Sequence, residues 1–229
     1  MKTALITGAS RGIGAAIARD LGRDHRVLVG ATTGEGARRV VDTLADAAPF
    51  VVDLTDPEAV AAAVAGIDRL DVLVHSAGTA PWATVAEASV AQWRQAFELN
   101  VFAVAELTRQ LLPALRAARG TVVAVNSGSG HHSGAHNAIY SGTKFALRAF
   151  TDALRAEETG RLRVTSVHPG RVDTDMQRQL QADMGNPDYD GSLYVRPESI
   201  AAAVRLAVDA SEDAAIPEIS VRPSGLDPS

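Results

Sequence analysis

The sequence predicts an α/β protein: one doubly wound domain built on a parallel sheet of about seven strands. Three observations carry that expectation. Short apolar runs alternate along the chain with longer, alanine-rich segments of helical period. The runs are continuously apolar rather than alternating, the pattern of strands covered on both faces. The 229 residues, 46% apolar and 21% charged, suffice for one sizeable core.

The first strand, "TALIT" at 3–7, leads into a glycine-rich turn and a helix at 12–22. A strand at 26–30 and a helix at 34–46 follow, then a strand at 49–53. The next helix, 57–66, has Asp56 as its N-cap and Pro57 at its first position, where a missing N–H costs nothing. A strand at 71–75 precedes a long helix at 89–116. Strands at 121–126 and 163–168 bracket a helix at 138–159. Pro197 opens the last helix, 197–209, and the weakest strand signal lies at 218–222. Strand alternating with helix implies right-handed crossovers. Residues 171–196 break the rhythm: they are polar and poorly periodic beyond Leu180. An irregular stretch of that length in a compact domain is usually functional or disordered.

The net charge of −5 offers no basic field to nucleic acid or an anionic membrane. Cysteine is absent, which excludes disulfides, thiolate catalysis and thiolate metal sites. The apolar run Ala4 to Ile6 is too short for a secretion signal, and no run reaches the roughly 18 residues of a membrane span. The expectation is a cytoplasmic protein.

The turn after the first strand reads "TGASRGIG", Thr7 to Gly14. Glycines at 8, 12 and 14 allow a tight turn and close backbone approach to a phosphate. The helix that follows presents free N–H groups and a partial positive charge to a pyrophosphate. Further on, "NAIYSGTKFAL" places Tyr140 and Lys144 four residues apart, one turn along the same helix face.

Together with "VDLTD" (52–56), "DVLVHSAG" (71–78), "ELNVF" (98–102) and "HPGRVDT" (168–174), these segments resemble, in order, the motifs of the short-chain dehydrogenases/reductases. The resemblance implies a Rossmann-type sheet of order 3-2-1-4-5-6-7 and reversible hydride transfer between a nicotinamide nucleotide and a carbonyl/alcohol pair. It places cofactor contacts on Gly8, Ala9, Ser10, Arg11, Gly12, Ile13 and Gly14, and on Thr32, Asp53 and Leu54. Ser76, Ala77 and Gly78 follow, then Tyr140 and Lys144, then Pro169, Gly170, Val172 and Thr174. It makes 171–196 a substrate lid and implies a homodimer or homotetramer.

Free tyrosine, with a pKa near about 10, is a poor base at neutral pH. An ammonium one turn away favours the phenolate, so Lys144 is expected to lower the Tyr140 pKa. By resemblance Tyr140 is the acid/base, and Lys144 tunes it and holds the nicotinamide ribose. Ser127, thirteen residues before Tyr140, polarises the substrate carbonyl; Ser129 is the competitor at a spacing of eleven. Asn100, on the edge of the apolar stripe Trp93, Phe97, Val101, Val104 and Leu111, is expected to hold a relay water, the other reading being an amide tied to backbone.

The segment after the second strand, "VGATTGEGARR", has no acid at its first positions, while Arg11 suits an extra phosphate. It also resembles the bacterial β-ketoacyl carrier-protein reductases, which use NADPH. The expected cofactor is therefore NADP(H). Glu35 falls on the helix. His75 and Ser76 replace two asparagines of the family pattern.

His131, His132 and His136 cluster past Ser127, but no H-E-x-x-H pattern accompanies them, and a rim loop without metal is expected. Trp82 has two readings, pocket wall or packing residue. The competing functional class is a nucleotide sensor that kept this fold without turnover.

Overall fold

Seven strands hydrogen-bond side by side in the order β3-β2-β1-β4-β5-β6-β7, every pair parallel. The computed structural model describes residues 1–186 and 188–225. The strands are β1 (Lys2–Ile6), β2 (His25–Ala31), β3 (Ala47–Val51), β4 (Val72–His75), β5 (Thr121–Val125), β6 (Arg163–Pro169) and β7 (Glu218–Val221). The helices are α1 (Gly12–Leu21), α2 (Gly34–Val41), α3 (Pro57–Val64), α4 (Val90–Phe97), α5 (Ala103–Ala118), α6 (Ala138–Glu157), α7 (Asp175–Asp183) and α8 (Pro197–Val208).

Alternate residues of each strand serve opposite faces. Ala4, Ile6, Val27, Val29, Val72, Val74, Val123 and Val125 face one layer, formed by α1, α2 and α8. Leu5, Leu73, Val122 and Val164 face the other, formed by α3, α5 and α6. Both faces are therefore covered, which is why the strands read as unbroken apolar runs. The chain reverses direction across the sheet between β1 and β4, the switch point where such sheets bind ligands beyond their carboxyl ends.

The expected caps are formed. Asp56 Oδ1 accepts from the N–H groups of Glu58 and Ala59, both at 3.0 Å, and Pro57 and Pro197 open their helices. Four expectations are corrected. The helix expected over 34–46 ends at Val41, and β3 begins two residues earlier than read. The long helix expected at 89–116 is α4 and α5 joined by a π-helical turn, Glu98–Phe102, which carries Asn100. The segment read as irregular contains α7, capped by the Thr174 hydroxyl, which accepts from Gln177 N–H at 3.2 Å. Pro187 within that segment lies outside the described residues. Among the described residues no helix is long and apolar enough to cross a membrane.

Candidate active site

The glycine turn is shaped by close approach. Gly8 has φ +62°, and a Cβ there would lie 2.7 Å from Ala77 Cα. A Cβ on Gly14 would lie 2.4 Å from the Gly8 carbonyl oxygen, so α1 packs against the turn with no room for a side chain. Gly12, at φ +55°, faces the Thr174 methyl. Ala9 N–H donates to the Gly30 carbonyl at 2.8 Å, fixing the turn against β2. The first turn of α1 has no side-chain cap and no acidic residue. Its leading N–H groups are therefore available to an anion, which is what a pyrophosphate requires.

Thr7, which the motif contained but the sequence reading did not single out, ties the two central strands together. Its hydroxyl accepts from the N–H groups of Ser76 and Ala77 at 3.0 and 3.1 Å. His75 turns the other way, with Nε2 bonded to the Thr108 hydroxyl at 2.9 Å. Full burial pushes its pKa down to about 3, so it is neutral at physiological pH. Asp53 is exposed, and its carboxylate accepts from both N–H and hydroxyl of Thr55 at 2.9 and 2.7 Å. Thr32 and Arg11 are exposed near the turn, and Arg11 forms no ion pair among the described residues. Thr33 caps α2, and Glu35 lies on that helix 3.6 Å from Arg39.

Beyond β5 the backbone of Ser127 is extended, and a short 3₁₀ turn, Gly128–Gly130, follows. Ser127 Oγ accepts from Ser129 N–H at 3.1 Å, which holds the hydroxyl at the sheet edge. Ser129 is itself engaged by the Asn137 amide at 3.1 Å. Tyr140, half-buried on α6, stands on the Ser127 side of that helix, where the serine side chain acts to lower its pKa. Lys144 is 6% exposed, and its Nζ donates to the Val125 carbonyl at 2.9 Å. It lies 5.6 Å from the centre of the Tyr140 ring. Burial dominates the electrostatics here. It raises the Tyr140 pKa, opposed by the Ser127 hydrogen bond, and it pulls Lys144 down to about 8. The expected lowering of the phenol by its neighbouring ammonium is thus not present in the chain alone; Ser127 is the group that acts in that direction.

Asn100 is 1% exposed and every polar group of its side chain is engaged. Its amide donates to the Thr79 carbonyl at 2.9 Å and to the Thr143 hydroxyl at 3.0 Å, and its oxygen accepts from Thr79 N–H at 2.9 Å. The side chain therefore clamps the segment after β4 to α6. Thr79 and Thr143 are further residues the sequence reading passed over, although Thr143 sits inside "YSGTK".

Gly170 N–H bonds to the Val221 carbonyl at 2.7 Å. Val172 pairs with Val195 in an isolated parallel bridge, so the segment between them leaves and re-enters the domain at one point. Within it, Asp173 accepts from Tyr189 hydroxyl at 2.9 Å and Arg178 at 2.8 Å. At the opposite rim Trp82 stacks on His136, ring centres 5.1 Å apart. Of the three histidines read as a cluster, His131 and His132 stay neighbours, ring centres 6.5 Å apart, while His136 stacks on Trp82 and His131 also packs on His168, at 4.2 Å.

A glycine turn opening an uncapped helix at the switch point of a parallel sheet defines a dinucleotide-binding oxidoreductase fold. The family model for short chain dehydrogenase matches residues 2–185. The chain belongs to the short-chain dehydrogenase family. A 3-oxoacyl-(acyl-carrier-protein) reductase of Pseudomonas aeruginosa is 34% identical over 190 residues, covering 78% of this chain and 77% of that protein. An alcohol dehydrogenase from the archaeon Thermococcus sibiricus, solved with 5-hydroxy-NADP, superposes with a TM-score of 0.89 at 27% identity, covering 100% of this chain and 99% of that one. A serine dehydrogenase, solved in its closed form with NADP+, gives 0.91 at 25% identity, covering 98% and 96%.

Proposed function

We propose that this oxidoreductase interconverts a carbonyl compound and its alcohol with NADP(H), using Tyr140 as the general acid/base. The observation that carries the reading is the placing of Tyr140 and Lys144 on one turn of α6, with Lys144 Nζ 2.9 Å from the Val125 carbonyl two residues before Ser127, at the carboxyl edge of the sheet that also carries the glycine turn. The two structural relatives described above were solved with 5-hydroxy-NADP and with NADP+ bound. The exposed Arg11, without an ion-pair partner among the described residues, and the absence of an acid at Thr32 and Thr33 favour the phosphorylated nucleotide.

Gly8 to Gly14 and the free end of α1 receive the pyrophosphate. Arg11 and Thr32 meet the 2′-phosphate. Asp53 and Leu54 flank the adenine, Ser76 to Gly78 line the floor, and Pro169, Gly170, Val172 and Thr174 close over the nicotinamide end. When bound, the nucleotide supplies or accepts the hydride. Ser127 donates a hydrogen bond to the substrate carbonyl oxygen. Tyr140 gives that oxygen a proton during reduction and takes it back during oxidation. Lys144 holds the ribose and, once charged, favours the phenolate. Asn100 keeps the segment after β4 fixed against α6, and with it the depth of the crevice. Residues 171–196 form the lid, and the exposed Phe102 and Phe145 suit a homodimer or homotetramer contact.

The test is NADPH consumption at the nicotinamide absorbance against a panel of ketones, aldehydes and quinones. Tyr140→Phe is expected to lower kcat by about 10² to 10⁴ with NADPH binding retained. Tight NADPH binding with no turnover on any class, and no effect of Tyr140→Phe, would establish the sensor reading instead.

A further inference from the structure

Three ligand-type atoms from three separate elements converge behind Ser127: His131 from the turn after β5, His168 from β6 and Glu218 from β7. Their nearest donor atoms all lie within 4.8 Å of one another. His168 is fully buried, and its two nitrogens have different tasks. Nδ1 lies 3.0 Å from the Ser127 carbonyl oxygen. A carbonyl only accepts, so Nδ1 bears the proton, and the neutral ring has its lone pair on Nε2. That Nε2 is buried and has no hydrogen-bond partner among the described residues. It faces Glu218 Oε1 at 3.8 Å, beyond hydrogen-bond range. Two acceptors thus confront each other across a gap, with the His131 ring alongside.

We infer that His131, His168 and Glu218 bind a divalent cation of the zinc class. Two imidazole nitrogens and one carboxylate oxygen are a donor set that zinc accepts, with a fourth position left for water. Bond lengths of about 2.0–2.2 Å place neighbouring tetrahedral ligands roughly 3.3 Å apart, so small side-chain movements close the site. The hydrogen bond from Nδ1–H to a backbone carbonyl is the support that orients metal-bound histidines. Calcium and magnesium, which prefer an all-oxygen shell, do not suit it. The bound cation clasps β7 to β6 and to the turn that follows Ser127. One group opposes it: Arg148 Nε lies 3.6 Å from Glu218 Oε1 and competes for the same carboxylate. Arg148 also has Asp152 at 3.9 Å, so an alternative partner is at hand when the cation enters.

The experiment uses untagged, chelator-treated full-length protein, titrated with Zn²⁺ by calorimetry and with Co²⁺ by visible absorption. One equivalent is expected to bind, and cobalt is expected to give the intense bands of a four-coordinate nitrogen and oxygen site. His131→Ala and Glu218→Gln, both at the solvent side of the cluster, are expected to weaken binding by at least about tenfold. Arg148→Gln is expected to tighten it, and His132→Ala to leave it unchanged. The inference is overturned by absence of binding at millimolar Zn²⁺. It is equally overturned by binding that survives both His131→Ala and Glu218→Gln, or that weakens in Arg148→Gln. None of these readouts depends on turnover, so they stand apart from the proposed reaction.

Discussion

Lys144 Nζ is anchored 2.9 Å from the Val125 carbonyl oxygen, at the end of the strand that leads to Ser127. The lysine thus links α6 to β5 before it does anything for a ligand. Because it is buried, its pKa falls to about 8 from the ordinary 10.5. Between those values the unfolded chain binds more protons than the folded one. Stability therefore rises with pH through this window, by about 2 kcal/mol between pH 8 and 10. Below pH 8 both states carry the proton and the full cost of the buried charge is present. The raised Tyr140 pKa acts oppositely only above pH 10. Denaturant unfolding across pH 7 to 10 is expected to show the rise in the native chain and its loss in Lys144→Met.

Ser127 is the group that draws the Tyr140 pKa downward against burial. Removing its hydroxyl leaves the phenol to burial alone. Ser127→Ala is expected to move the basic limb of the kcat/KM profile to higher pH, beyond lowering its height. A drop in height with an unmoved limb would mean that the serine acts only on the substrate.

Asn100 makes three hydrogen bonds in a dry site, and Asn100→Asp removes both donors while adding a charge. The Thr79 carbonyl and the Thr143 hydroxyl would then face a carboxylate. A loss of about 2–4 kcal/mol is expected in urea unfolding, since unsatisfied buried groups cost about 1–3 kcal/mol each. Thr143→Val, which removes one of the three, is expected to cost less than Asn100→Asp.

Arg11 sits in the glycine turn without a carboxylate partner among the described residues. Arg11→Ser is expected to raise KM for NADPH by about tenfold or more while leaving KM for NADH nearly unchanged. That split follows from losing one charge-assisted phosphate contact of about 1.5–3 kcal/mol. Equal changes in both constants would assign Arg11 to the turn's structure rather than to nucleotide choice.

Most of the architecture was legible because the inner strands β1, β4, β5 and β6 are largely buried on both faces and therefore announce themselves by unbroken apolar runs. β7 was the faint one because it lies at one edge of the sheet, with no residue fully buried. The π turn was not legible: its widened hydrogen bonding leaves no mark in composition, and Asn100 sits in a stripe that reads equally well as one long helix. α7 was missed because its sequence is mostly polar and its packing comes from caps and one buried glutamine, Gln181. Tyr140 and Lys144 were singled out by their spacing on one helix turn and Ser127 by resemblance, and a helix turn and a strand end place these residues locally. His168 and Glu218 were not, since only the parallel pairing of β6 with β7 brings them together.

The widened turn at Glu98–Phe102 also makes chain length a diagnostic. It accommodates one residue more than a regular turn. Deleting a single residue there would let the chain wind straight through as ordinary helix, with α4 and α5 keeping nearly the same facing, because the π turn had absorbed the extra residue. Trp93 and Phe97 would still rest against Gly142, but the widened backbone that presents the amide at 100 to Thr79 would be gone. A relative one residue shorter at this point should therefore be looked upon as having abandoned the clamp, whatever its remaining motifs declare.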